Sequence, residues 1–121
     1  MNCGVDVVEK AYRIKKNNDF QRIYKMGKSV ANRQFVIYTA ENDCEHFRLG
    51  MSVSKKLGNA VTRNRIKRSI RECFKNHKEN ILPKDIIVIA RNQSVDLSVV
   101  ETQKSIEHVL KIAKVFNKRI P

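Results

Sequence analysis

Tryptophan is absent, and the chain of 121 residues has only two prolines, four glycines and three cysteines. So few chain breakers exclude a long linker or a low-complexity tract. Cys3, Cys44 and Cys73 form an odd set with no C-x-x-C pair, which argues against both a disulfide framework and a zinc finger. No apolar run approaches the roughly 18 residues of a membrane span. The opening Met1 to Asp6 lacks the charged and apolar regions of a signal peptide, so the expected location is the cytoplasm. Acids are scarce too: 12 Asp and Glu face 25 Lys and Arg, a formal charge of +13. That excess points to a polyanionic partner, and 41% hydrophobic residues suffice for one core, against both a disordered basic tail and a multidomain enzyme.

The charge is unevenly placed. Lys10 to Lys28 holds seven bases and one acid, Asp19; Lys55 to Lys78 holds nine bases and one acid, Glu72. Glu41 to Glu45 has three acids and no base, as at a loop tip. A first helix is expected from about Asn18 to Met26, with Asn17 as N-cap, Asp19 in the first turn and Gly27 ending it. Gln34 to Thr39 and Phe47 to Val53 read as strands joined by the acidic loop. They are expected to form a hairpin with one buried face, since Phe47, Leu49, Met51 and Val53 alternate with Arg48, Gly50 and Ser52.

A long helix is expected from Asn59, its N-cap, to about Asn76. The unbroken apolar run Ile86 to Ala90, preceded by the breakers Pro83 and Asp85, reads as a strand deep in a sheet. Ser98-Val99-Val100-Glu101 has the form of a capping box. It opens a helix whose Ile106, Val109, Leu110, Ala113 and Phe116 make an apolar stripe. The order helix, strand, strand, helix, strand, helix gives an α+β fold, a single-domain α-β sandwich.

On a helical wheel of the long helix, Ile66, Ile70, Cys73 and Phe74 gather on one side, opposite Asn64, Lys67, Arg68, Arg71 and Lys75. A solvated helix usually interleaves acids with bases, but only Glu72 interrupts this run. Arg63, Arg65, Arg68 and Arg71 carry the planar fork that grips phosphate in two places, which points to nucleic acid. Lys55, Lys56, Gly58 and Asn59 add charge and a flexible backbone at the helix entrance.

Phe20 and Tyr24 lie one turn apart among Lys15, Lys16, Arg22, Lys25 and Lys28, and Tyr38 alternates away from Phe35 and Ile37. Rings fringed by cations suit single-stranded nucleic acid, although the spacing of Phe20 and Tyr24 by itself favours ordinary core packing. No Gly-rich phosphate loop, paired carboxylates or Ser/His/Asp arrangement is present, so no catalytic residue is assigned. Cys44-x-His46 and the i, i+4 pair Cys73 and His77 offer ligand types, but neither supplies four ligands. No metal-binding residue is assigned, and Cys73 is read as a small core residue. Rival readings are another RNA-binding protein, such as a ribosomal one, and a metal-dependent nuclease acting alone. A DNA-binding regulator lacks the required short-turn pair of helices.

The stretch Ser54 to Arg71, with Arg63-Asn64-Arg65 followed by Lys67, Arg68 and Arg71, closely resembles the signature of the bacterial ribonuclease P protein family. The resemblance spans about 100 residues, from Arg13 to Phe20 through Ser29 to Phe35 and into the last helix. It implies the small subunit of a ribonucleoprotein endonuclease that removes the 5′ leader from precursor tRNA. The RNA subunit carries the chemistry with bound Mg²⁺, and the protein holds no tightly bound cofactor. The implied contacts with the catalytic RNA are Gly58, Asn59, Arg63, Asn64, Arg65, Lys67, Arg68 and Arg71. The implied leader-binding residues are Lys16, Phe20, Tyr24, Asn32, Val36, Tyr38 and Lys56, and neither membrane nor DNA is an expected partner. The resemblance also implies a left-handed strand-helix-strand crossover, against the general right-handed rule. Residues 1–9 are expected to be a disordered extension to a domain spanning 10–121.

Overall fold

Residues 12–116 are described by a computed structural model. The elements run α1 (Asn17–Met26), β1 (Lys28–Ala31), β2 (Phe35–Glu41), β3 (Arg48–Ser52), α2 (Ala60–Asn76), β4 (Lys84–Ala90) and α3 (Val99–Ile112). The four strands form one mixed sheet in the order β1-β2-β4-β3, antiparallel except for the parallel pair of β3 and β4. The expectation for residues 1–9 lies outside the described residues.

The expected hairpin does not form. Instead β4 lies between β2 and β3 and bonds to both. Ile86 and Val88 point to one face and Ile87 to the other, all fully buried, and a strand apolar on both faces belongs in the interior of a sheet. The loop between β2 and β3 has only to cross two strand spacings, roughly 10 Å, which six residues do easily. The short edge strand β1 was not anticipated, because its four residues carry little apolar signal.

Ile86, Val88, Phe35, Ile37 and Leu49 face the main core, where Ile66, Ile70 and Phe74 of α2 and Ile106, Val109 and Leu110 of α3 meet them. The other face is covered by α1 and the segment before it: Ile23 and Ile14 pack on Ile87, with Phe20, Tyr38, Ala40 and Ile89 around them. Gly50 is required here by close approach, since a Cβ would stand 2.8 Å from the Phe20 ring. The expected caps of α2 and α3 are present: Asn59 accepts from Thr62 N, and Ser98 and Glu101 make a reciprocal box.

Three local expectations are corrected. Asn17 is the first residue of α1 and Lys16 sits at the cap without a side-chain bond. α3 ends at Ile112, so Phe116 packs from beyond the helix, in a bridge with Ile81. Asp85 is no breaker. It lies within β4, fully buried on the α1 face. Arg48 donates to both its carboxylate oxygens at 2.8 and 2.7 Å, Arg22 to Oδ2 at 2.7 Å and Asn42 to Oδ1 at 3.0 Å. Burial alone would raise this carboxyl, but the bonds from Arg48, Asn42 and Arg22 outweigh it and hold Asp85 below the usual carboxylate range.

Removing one member of a buried ion pair strands its partners. Asp85→Asn is therefore expected to cost about 3 kcal/mol near neutral pH, read from urea unfolding. Because the folded value is depressed, this contribution is complete above about pH 4 and is lost as pH falls through the lower native value. The gap between wild type and variant should close in acid; a gap independent of pH would exclude the ionic origin.

Candidate nucleic-acid interface

The basic helix α2 presents the face its periodicity requires. Ile66, Ser69, Ile70, Cys73 and Phe74 are buried; Asn64, Arg65 and Arg68 are exposed, and Arg63, Lys67 and Arg71 are partly buried at the flanks. The helix lies beside α3 in a parallel register thirty residues apart: Arg65 against Val95, Cys73 against Gln103, His77 against Glu107. Among the described residues, none of Arg63, Arg65, Lys67 and Arg68 is paired with a carboxylate. The acids Asp19, Glu41 and Asp85 are instead engaged by Arg22, Arg48 and Lys84 elsewhere. A stripe of like charge left this way gains most from an anionic chain laid along it.

The arginines are not equivalent. Arg65 donates to the backbone carbonyl of Val95 at 2.8 Å and of Leu97 at 3.5 Å, so it also holds the loop before α3. Arg63 donates to the Gly58 carbonyl at 3.3 Å. Gly58 itself sits at φ +145°, a conformation that L side chains rarely adopt, immediately before the cap residue Asn59. Arg68 points outward with no such bond.

A second surface lies on the opposite side of the sheet. Lys16, Phe20 and Tyr24 are spaced four residues apart along one edge of α1, with ring centroids 6.3 Å apart for the two aromatics. Tyr24 meets Tyr38 edge-on at 5.0 Å. Burial pushes the Tyr24 hydroxyl up, the neighbouring Tyr38 adds to this, and a bond with Ser52 opposes both. Beside them, Val36, Ile89 and Ser52 follow one another across β2, β4 and β3 and are only partly covered. α1 thus forms one wall of a groove whose floor is open sheet. Lys56 is exposed in the short turn that follows β3.

Asn32 stands apart from this groove. Its Nδ2 donates to the Ser105 carbonyl and hydroxyl at 2.9 and 3.0 Å, and its Oδ1 accepts from Gln34 N and Phe35 N. It fixes the β1–β2 turn and ties it to α3.

The two surfaces meet in a cleft of about 250 Å³ at the outer edge of β3. Leu49 and Met51 form its base; Phe20 enters from α1, Lys67 and Arg71 from α2, and Arg13 and Lys15 from the segment before α1. Ile14 N donates to the Leu49 carbonyl at 2.9 Å and anchors that segment along the strand edge. The place of Arg13 and Lys15 beside α2 was not legible beforehand, because it depends on β3 being an edge strand.

Cys73, His77 and Glu107 also converge, on the α2–α3 seam. Burial and the nearby Glu107 push the Cys73 thiol up to about 12, which removes it as a nucleophile at neutral pH.

The sequence pattern of the Ribonuclease P family matches residues 8–114. The ribonuclease P protein component of Staphylococcus epidermidis is 74% identical over 114 residues, covering 93% of this chain and 99% of that protein. The solved RNase P protein of Staphylococcus aureus is 72% identical and superposes with a TM-score of 0.87, over 89% of this chain and 100% of that one. That of Thermotoga maritima, at 33% identity, gives 0.77 over 83% of this chain and 96% of its own.

Arg65 and Arg68 should separate in unfolding experiments. Arg68→Ala is expected to change stability by less than about 0.5 kcal/mol. Arg65→Ala should lose about 1 kcal/mol with its two carbonyl contacts. Equal losses in urea titrations of the two variants would contradict the assignment. Gly50→Ala should displace Phe20 and be visible as a shift of its ring resonances.

Proposed function

The chain belongs to the bacterial ribonuclease P protein family, the protein component of a ribonucleoprotein enzyme, and on that premise we propose how its two surfaces divide the work. The outer edge of α2, with Arg63, Asn64, Arg65, Lys67, Arg68 and Arg71 and the entrance residues Gly58 and Asn59, binds the catalytic RNA. The groove lined by Lys16, Phe20, Tyr24, Val36 and Tyr38, with Lys56 nearby, takes the 5′ leader of precursor tRNA. Asn32 acts indirectly, by fixing the turn that leads into Val36. The observation that carries this reading is the arginine edge of α2, whose exposed Arg65 and Arg68 are paired with no carboxylate among the described residues, in a chain of formal charge +13.

Hydrolysis of the phosphodiester belongs to the RNA subunit with its Mg²⁺, and the protein takes no chemical step. Its contribution is electrostatic and geometric. Cations on both sheet faces of one domain screen the repulsion between enzyme RNA and substrate, while the rings and the apolar floor accept unpaired bases of any identity. The domain over 10–121 is read as one RNA-binding unit acting in the cytoplasm, with the β3-α2-β4 crossover left-handed as the family resemblance implies. Among the described residues no helix is long and apolar enough to cross a membrane.

Reconstitution with purified ribonuclease P RNA at limiting Mg²⁺ tests the reading. Adding the chain should restore removal of the 5′ leader, and the protein without RNA should cleave nothing. Cleavage by the RNA-free protein would favour an autonomous nuclease, and no effect on the RNA would favour a different RNA-binding role. Lys16→Ala with Lys56→Ala should lower the salt slope of leader affinity by roughly 1.4 while leaving unfolding unchanged; an unaltered slope would remove both from the groove.

A further inference from the structure

The seam between α2 and α3 holds three side chains whose ligand atoms all lie within 4.8 Å of one another: Cys73 Sγ, His77 and Glu107. We propose that Cys73, His77 and Glu107 form a binding site for a zinc-class divalent cation that clamps the C-terminal end of α2 to α3. The proposal concerns neither RNA-facing surface and does not depend on how those bind.

The spacing supports it. Cys73 in the last turn of α2 and its C-cap residue His77 are one turn apart, and the parallel register of the two helices brings Glu107 opposite His77, with Nε2 to Oε2 at 2.7 Å. Donor atoms around tetrahedral zinc stand roughly 3.3–3.7 Å apart, so a cation entering here opens that contact by about half an ångström to an ångström. Both helices are pinned in the core by Ile70, Phe74, Ile106 and Leu110, so the ligands are held on rigid elements.

The chemistry of the set selects the metal. One thiol, one imidazole and one carboxylate suit a borderline cation such as Zn²⁺, whereas Mg²⁺ prefers oxygen throughout. Three protein ligands leave a fourth position. His77 and Glu107 are partly exposed, at 21% and 38%, so water can fill it from solvent, while Cys73 closes the buried side. Phe116 flanks the His77 ring with centroids 5.0 Å apart. Binding forms the sulfur–metal bond as the thiol proton leaves to solvent. The dication then neutralises the thiolate and the Glu107 carboxylate, the two anionic donors of the set.

The other two cysteines can be removed from the question. In the full chain carrying Cys3→Ser and Cys44→Ser, Zn²⁺ titrated against a chromophoric chelator should bind at one equivalent. Co²⁺ in its place should give a sulfur-to-cobalt charge-transfer band and the visible bands of a tetrahedral ion. Cys73→Ser should abolish the charge-transfer band. His77→Gln and Glu107→Gln, at the partly exposed rim, should each weaken Zn²⁺ binding by about tenfold or more, and they carry the test if Cys73→Ser fails to fold. Zn²⁺ at a hundredfold excess over its Kd should raise Tm by on the order of 10 °C, and Mg²⁺ should not. No zinc binding at micromolar concentration, an octahedral cobalt spectrum without a sulfur band, or unchanged affinity in both rim variants would overturn the proposal.

Discussion

The insertion of β4 between β2 and β3 is the constraint on which the other features rest. A strand buried on both faces forces material onto each side of the sheet. α2 and α3 supply it on one side, and α1 on the other. Since β3 and β4 are parallel neighbours, the chain must cross from one to the other through α2. The basic helix is therefore held against the sheet, and β3 becomes its outer strand. The cleft that joins the two cationic surfaces lies along that outer strand, where the segment before α1 bridges it at Leu49.

Charge is sorted by the same arrangement. Asp85 enters β4 on the α1 face and collects Arg22, Arg48 and Asn42, so a buried carboxylate is satisfied by four donated hydrogen bonds. Asp19 approaches Arg22 and Arg48 at the longer distance of 3.8 Å in each case. Two arginines and two acids thus neutralise one another away from the basic helix α2. On α2, Arg63, Arg65, Lys67 and Arg68 are left without a carboxylate among the described residues. Arg13, Lys15, Lys67 and Arg71 line a single cleft at the β3 edge.

The features with a strong local period were legible in the sequence. The two faces of α2, the Asn59 cap and the Ser98 box depend on residues within one or two turns of each other. What depended on partner choice was hidden. The alternation of Phe47 to Val53 identifies a strand but says nothing about its neighbour, and the acidic loop made a hairpin the simplest expectation. Asp85 read as a breaker because its stabilising arginines lie 37 and 63 positions away. The i, i+4 spacing of Cys73 and His77 was visible, whereas Glu107 joined them only through helix packing thirty residues later. In the groove, Phe20, Tyr24, Val36 and Tyr38 do share a surface, but Asn32 turned out to face α3.

The division of the molecule into an RNA-subunit edge and a leader groove is tested most directly by photocrosslinking in the assembled ribonucleoprotein. A photoreactive residue placed at Arg68 should label the catalytic RNA, and one placed at Val36 should label the precursor tRNA leader. Leader labelling from position 68, or catalytic-RNA labelling alone from position 36, would contradict the assignment of the two faces.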